Sequence, residues 1–489
     1  MSTTATATGW ETVVGLEVHC ELATVTKLFC GCANTFGAEP NTNICPVCLG
    51  LPGSLPVLNE RAVEFALRVG EALHCDVPER SIFARKNYFY PDMPKDYQIS
   101  QYDTPICVDG WLEVDGTRVG IERAHMEEDT GKTLHVGGGG RIHEADHSLV
   151  DYNRAGLPLM EIVSRPDIRD AEQARAYVSE LRGLLEAIGV SDVKMEEGSL
   201  RVDANVSLRP AGAEEFGTKV EVKNMNSLRS LGHALDYEVT RQRELLEAGE
   251  RIAQETRHWD EDGGVTSSLR SKEEAFDYRY FPEPDLVPVA PDAEMRARVQ
   301  SSMPELPAAR RARLVADWGI AEQDARVLLS TPGLGEYAEA AVAAGAAPKD
   351  VVNWCTGDLL GYLNESGLAV GALPLAPDGL AELIELVADG TLSRPLAKDV
   401  LAECLLEPKR PREVVDERGI AQVSDEGELG DLLDGILAAH PEDVAEYRAG
   451  DEKARKKKNG FFMGEAMKAT KGSGNPQLLA RLLKERLGG

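Results

Sequence analysis

The chain has 489 residues, too many for one hydrophobic core, so roughly two to four domains are expected. Its 53 basic and 82 acidic residues leave a net charge of −29, a field that repels phosphate and excludes a nonspecific nucleic-acid binder. With 43% hydrophobic and 28% charged residues and no long apolar run, the composition is that of a soluble globular protein without a membrane span.

Met1 to Gly9 has neither a basic start nor an apolar stretch, so it reads as a disordered leader rather than a secretory signal, and a cytoplasmic location is expected. Val14 to His19 then alternates as a strand, with Val14, Leu16 and Val18 on one side and Glu17 and His19 on the other. Glu60 to Leu73 reads as a helix. Ala171 to Ile188 is a clearer one, opened by Asp170 with Gln173 and closed by Gly189. Leu200 to Ser207 is a second alternating strand, with Arg201, Asp203 and Asn205 together. Lys219 to Lys223 is a third, with Lys219, Glu221 and Lys223 together. Gln242 to Ala248 closes a further helix. Strands irregularly separated by helices predict an α+β fold with a largely antiparallel sheet. The Gly137 to Gly140 run reads as a hairpin tip, since no helix follows it.

Composition shifts at Pro282 to Pro288, and residues from about 295 to 405 carry helical spacing. Pro408 and Pro411 mark another break. The expected division is a leader (1–9), a catalytic domain (10–294), a helical domain (295–407) and a helical tail (408–489). The tail carries a basic patch around Lys456, Lys457, Lys458, Lys468 and Lys471, which composition alone reads as a solvated helix end.

Cys30, Cys32, Cys45 and Cys48 form C-x-C-x12-C-x2-C in a Gly/Pro/Asn-rich loop, the pattern of a closed tetrahedral zinc site with a structural role. A redox pair at Cys45 and Cys48 is the alternative, but no thioredoxin-like βαβ pattern surrounds it. Arg123 to Lys132 packs Glu127, Glu128 and Asp129 beside His125, a donor set suited to Mg2+ shared with phosphate oxygens, or else an acidic surface turn. Arg85 to Gln101 and Asp277 to Asp285 are dense in aromatic and basic residues, which suits a nucleotide or terminal RNA base as well as a packed tyrosine loop. Neither a Walker A loop nor a G-x-S-x-G elbow occurs, so carboxylate activation is readable here and ammonia release from an amide is not.

Taken together, Gly15-Leu-Glu-Val-His19, Arg85 to Asp92, Tyr97 to Gln101, His125 to Asp129, Met195 to Asn205, Lys223 to Ser227 and Asp277 to Asp285 closely resemble the B-subunit family of aspartyl/glutamyl-tRNA amidotransferases. The match continues more weakly through Asn353-Trp354 and Gly464 to Gly472. The resemblance implies a cradle domain related to the glutamine synthetase catalytic domain, then helical and tail domains that meet tRNA. It implies ATP- and Mg2+-dependent phosphorylation of the side-chain carboxylate of Glu-tRNA(Gln) or Asp-tRNA(Asn). Amidation would follow in a heterotrimer with the A and C subunits, the first releasing ammonia from glutamine and the second joining the other two.

Carried onto this chain, the resemblance implies His19 and Glu128 as Mg2+ ligands with Glu17 nearby, and Lys86 and Arg201 on phosphate. Glu127, Glu161, Asp203 and Glu221 would position a second metal, ammonia or the aminoacyl amine. It also turns the tail lysines into an expected tRNA contact and leaves zinc outside the chemistry. A noncatalytic tRNA-binding adaptor and a stand-alone ligase for a free amino acid are the rival readings.

Overall fold

The structure, a computed structural model, describes residues 9–137, 145–271, 278–420, 426–470 and 474–488. The expected leader up to residue 8, Gly138 to Gly140 of the glycine turn, Asp277 and Lys471 lie outside the described residues. The chain divides into two units, Met1–Pro307 and Ala308–Gly489.

In the first unit, the strands are β1 (Trp10–Glu21), β2 (Ala84–Asn87), β3 (Tyr97–Ser100), β4 (Cys107–Val114), β5 (Thr117–Glu128), β6 (Lys132–Val136) and β7 (His147–Asp151). They continue with β8 (Pro158–Ser164), β9 (Leu200–Pro210), β10 (Val220–Met225), β11 (Glu255–Asp260), β12 (Val265–Ser271) and β13 (Phe281–Pro282). The helices are α1 (Glu60–Ala72), α2 (Ala171–Ala187), α3 (Leu228–Glu247) and α4 (Ala293–Ser301).

Eight strands form one sheet in the order β12-β11-β10-β9-β1-β8-β5-β4. Its pairs are antiparallel apart from β10 with β11, as the irregular strand–helix order predicted. Smaller sheets are formed by β13-β2-β3 and β6-β7.

Alternation decides which face of the large sheet is covered. Val14, Leu16, Val18 and Cys20 of β1 and Val202, Ala204 and Val206 of β9 are buried in one apolar core. Against them pack Val63 and Val69 of α1, Tyr177, Leu181 and Leu185 of α2, and Leu231, Ala234 and Leu235 of α3. Each of these side chains is fully or almost fully buried, so burial at about 25 cal/mol per Å2 fixes the helices to this face.

The helix ends follow from local chemistry. The Asp170 side chain accepts from the Gln173 amide at the start of α2, and Gly189 follows its end in the left-handed region at φ 69°. Gln173 reaches back to the Arg169 amide at 2.8 Å. The core also takes in Val299 of α4, beyond the composition shift, and Arg298 pairs with Glu64 of α1 at 2.8 Å.

The second unit is helical throughout its described elements. One core runs from Leu314 to Val415 and a separate one from Leu429 to Leu487. No described helix is long and apolar enough to cross a membrane.

Candidate functional site

The face of the large sheet opposite α2 and α3 is polar, and cross-strand register sorts its side chains into rows. His19 of β1 stands opposite Arg201 of β9 on one side and Glu161 of β8 on the other, and Glu161 in turn stands opposite His125 of β5. In the next row Glu17 faces Asp203, and in the one beyond Asn205 faces Glu221 of β10. Directly opposed residues point to the same face, so one sheet delivers groups from five strands to one place.

Most of these groups, though neither Arg201 nor Asn205, line a cavity of about 620 Å3. Its walls include Glu17, His19, Lys86, His125, Glu127, Glu161, Asp203, Glu221 and Lys223, with Tyr102, Tyr278 and Tyr280. Ligand atoms of His19, Glu127 and Glu161 all lie within 4.8 Å of one another, a group able to hold a metal ion. His19 Nε2 is 3.5 Å from Glu161 and 3.8 Å from Glu127, and His125 Nε2 is 3.4 Å from Glu161. Two carboxylates and one imidazole suit a divalent cation that keeps part of its water shell.

The electrostatics of the cavity are those of compensated burial. Burial opposes charge on His19, but Glu161, Glu127 and Asp203 outweigh it and hold the ring above its usual value. Burial likewise opposes ionisation of Glu161, yet His125, His19 and Lys86 hold its carboxyl below the usual range. Burial dominates at His125 and keeps that ring below its usual value. Burial opposes charge on Lys86, and Glu127, Tyr280 and Glu161 overcome it. Glu17 is pushed up, first by burial and then by Glu161 and Glu221, while Asn205 donates to it at 2.9 Å. Lys223 bridges Asp203 at 2.5 Å and Glu221 at 3.0 Å, and Thr256 donates to Glu221 at 2.8 Å.

The structure thus brings together Glu17, His19, Lys86, Glu127, Glu161, Asp203 and Glu221. Two expected residues stand apart. Glu128 follows Glu127 on β5, and a one-residue step on a strand reverses the side chain. Its carboxylate is buried, pairs with Lys95 and accepts from the Ile99 amide at 2.8 Å. It lines a separate small cavity of about 50 Å3 with Cys30, Cys48 and Lys95. Arg201 does share the polar face, but it turns to Asp129 at 3.0 Å, where Arg154 also approaches at 3.4 Å. Burial opposes ionisation of Asp129, and Arg201 and Arg154 outweigh it. Glu21 joins this second group and is pushed up to about 7 by burial and by Asp129.

Cys30, Cys32, Cys45 and Cys48 converge, with sulfurs within 4.8 Å of one another, as their spacing predicted. A hydrogen bond from Cys30 is the main cause that draws the Cys48 thiol down to about 5. Lys27 is fully buried beside them and donates to Ala155 O at 2.7 Å and Tyr152 O at 3.2 Å. In the second unit, Lys456, Lys457 and Lys468 are exposed, whereas Lys458 is half-buried against Asp443 and Glu446.

Sequence reasoning named His125, Lys223 and Tyr280 only within candidate segments and gave them no role of their own, and it left Tyr102 out. The signal for His125 was present, since it shares strand parity with Glu127 and not with Glu128. Lys223 lay on the third alternating face already read. Tyr102 and Tyr280 are distant in sequence, and only the pairing of β13 with β2 and of β2 with β3 brings their segments together.

Comparison with known proteins finds relatives over nearly the whole chain. A family described as the GatB/GatE catalytic domain matches residues 12–297, and one described as the GatB domain matches residues 336–487. The B subunit of the aspartyl/glutamyl-tRNA(Asn/Gln) amidotransferase of Frankia casuarinae is 55% identical over 489 residues, covering 98% of this chain and 96% of that protein. The protein of the same name from Moorella thermoacetica is 53% identical over 482 residues, covering 98% of this chain and 100% of its own. That from Thermosynechococcus vestitus is 50% identical, covering 98% and 96%.

The Glu21–Asp129 group sets a pH dependence. Glu21 ionises near 4.5 when unfolded and near 7 when folded, so its contribution to stability is full at low pH and is lost as pH rises through that window. Glu21→Gln removes the loss. In thermal melts the variant gains on the wild type between pH 5 and pH 8 (range set by about these two values), whereas a gap that stays constant with pH would contradict the assignment.

Proposed function

This chain belongs to the family of aspartyl/glutamyl-tRNA(Asn/Gln) amidotransferase B subunits, glutamine-dependent carbon–nitrogen ligases, and on that premise we propose that it activates the side-chain carboxylate of a mischarged tRNA. The substrates are Glu-tRNA(Gln), Asp-tRNA(Asn) or both, and the activating reagent is ATP with Mg2+. The A subunit supplies ammonia and the C subunit joins the heterotrimer, which acts in the cytoplasm. The first unit serves as the catalytic cradle, of the kind seen in glutamine synthetase.

The observation that carries this reading is the shared cavity of His19, Glu127 and Glu161 with Lys86. A carboxylate is a poor acyl donor because oxide would have to leave. Its oxygen therefore attacks the γ-phosphorus of ATP, the bond to the bridging oxygen breaks and ADP departs. Ammonia then attacks the acyl carbon, phosphate leaves and one proton is shed. His19, Glu127 and Glu161 would hold a divalent cation, which would supply positive charge against the phosphates of the nucleotide.

The chain's own groups do the rest. Lys86 is charged, buried and adjacent to Glu127 and Glu161, so its ammonium meets the charge that develops on the transferred phosphoryl group. Glu17, held above its ordinary value chiefly by burial, takes the proton that ammonia sheds. Asp203 and Glu221, fixed by Lys223, hold ammonia or the aminoacyl amine. Glu128 is given a supporting role, because its carboxylate is engaged by Lys95 and the Ile99 amide. Arg201 braces Asp129 at the end of the same face. Exposed Lys456, Lys457 and Lys468 form the tRNA-facing surface of the tail.

Assembled with the A and C subunits and given Glu-tRNA(Gln), the wild type is expected to cleave ATP only when the charged tRNA is present. Glu127→Gln lowers that rate by about a hundredfold or more. Glu128→Gln lowers the melting temperature, since Lys95 loses its buried partner, and keeps the rate within about tenfold. Reversal of Lys456 and Lys457 to Glu raises KM for tRNA alone. ATP cleavage that survives Glu127→Gln would place the kinase chemistry elsewhere and leave an RNA-binding adaptor.

The four cysteines form a closed structural zinc site. Purified protein is expected to carry one zinc per chain by elemental analysis, and Cys48→Ser to lose it. A zinc-free wild type with four titratable thiols in this loop would refute that.

A further inference from the structure

We propose that Thr256 is a positioning residue for Glu221, and that a buried Glu238–Arg257 pair locks β11 in the register that puts Thr256 there. The assignment rests on the carboxylate-activation reading above, in which Asp203 and Glu221 hold ammonia or the aminoacyl amine. The Thr256 hydroxyl donates to Glu221 Oε2 at 2.8 Å, and both residues line the large cavity. Glu221 stands opposite Thr256 across β10 and β11, and Val222 stands opposite Arg257. Thr256 therefore faces the cavity, while Arg257 shares the side of Val222, which is buried in the apolar core with Leu231 and Leu235 of α3.

The helix side of β11 thus carries charge where β9 and β10 carry Val206 and Val222. Glu238 of α3 is fully buried, and its carboxylate meets Arg241 at 2.6 Å, Gln242 at 2.9 Å, the Thr266 hydroxyl of β12 at 3.1 Å and Arg257 at 3.6 Å. Arg257 donates in turn to the Thr266 hydroxyl and to Thr266 O, each at 2.7 Å, and pairs with Glu255 at 2.6 Å. Gln242 also donates to Val206 O of β9 at 3.2 Å. Through these contacts one carboxylate ties α3 to β9, β11 and β12. A buried ion pair adds little net stability over apolar packing, but it dictates which groups must meet.

Register needs fixing at this place. The pairing of β10 with β11 is parallel, the less stable kind per residue, and β11 pairs with β12 through a shift between Thr256 and Arg257. A slip of one residue would exchange the two faces of β11. The Thr256 hydroxyl would leave Glu221, and the Arg257 guanidinium would enter a wall where Lys223 already bridges Asp203 and Glu221. Glu238 disfavours that alternative, because an Arg257 turned to the cavity would leave the buried carboxylate to Arg241.

The test uses the full assembly with the A and C subunits and Glu-tRNA(Gln), and it reads amide formed per ATP cleaved. A loosened Glu221 delays capture of ammonia, so water attacks the acyl carbon instead. Phosphate then leaves, the carboxylate is restored and a proton is shed. Thr256→Val keeps the branched shape and drops the hydroxyl; it is expected to lower the ratio about fivefold, and Thr256→Ser to restore it. Glu238→Gln is expected to lower the ratio as well, and the double variant to fall no further than the lower single one, since both act through one contact. A wild-type ratio in Thr256→Val, or equal losses in ATP cleavage and amide formation, overturns the role of Thr256 while the activation reading stands. Effects that multiply in the double variant overturn the lock. A wild-type assembly without tRNA-dependent ATP cleavage defeats the activation reading itself. Should Glu238→Gln fail to fold, Arg257→Lys takes its place in the same comparison.

Discussion

Everything in the first unit depends on the division of one sheet into two faces. Helices α2 and α3 cover the side that carries Val14, Leu16 and Val18, together with Val202, Ala204 and Val206. The side chains between them have only one direction left, and register lines them up: Arg201, His19, Glu161 and His125 in one row, Asp203 and Glu17 in the next. Apolar burial on one face thereby supplies the free energy that gathers charge on the other.

That gathering would be unfavourable without internal compensation. His125, His19 and Lys86 hold the Glu161 carboxyl below its ordinary range, and Glu161 and Glu127 hold the His19 ring above its own. Lys223 serves Asp203 and Glu221 in the same way. Removing one member exposes its partner to the full cost of burial.

Much of this was legible in the sequence. Alternation in Val14 to His19 and in Leu200 to Ser207 identified β1 and β9 and the face on which Glu17, His19, Asp203 and Asn205 lie. Helical spacing with Asp170 and Gly189 bounded α2 to within a residue. The cysteine spacing brought four sulfurs together. What the sequence left hidden was parity and long-range pairing. Three consecutive acids, Glu127, Glu128 and Asp129, look alike in a row, yet the pleat sends Glu127 to the cavity and Glu128 to Lys95. Arg201 has the right face, and only the fold reveals that Asp129 and Arg154 occupy it. The stack of Tyr102 on Tyr280 joins positions whose neighbours in sequence give no sign of each other.

The central claim is that β1, β5 and β8 build one cation site from His19, Glu127 and Glu161. Anomalous scattering from crystals of the assembly grown with Mn2+ and a nonhydrolysable ATP analogue tests it most directly. The account predicts a manganese peak within coordination distance of His19 Nε2 and of carboxylate oxygens from Glu127 and Glu161. A peak beside Glu128 and Lys95, with His19 left unliganded, would contradict it.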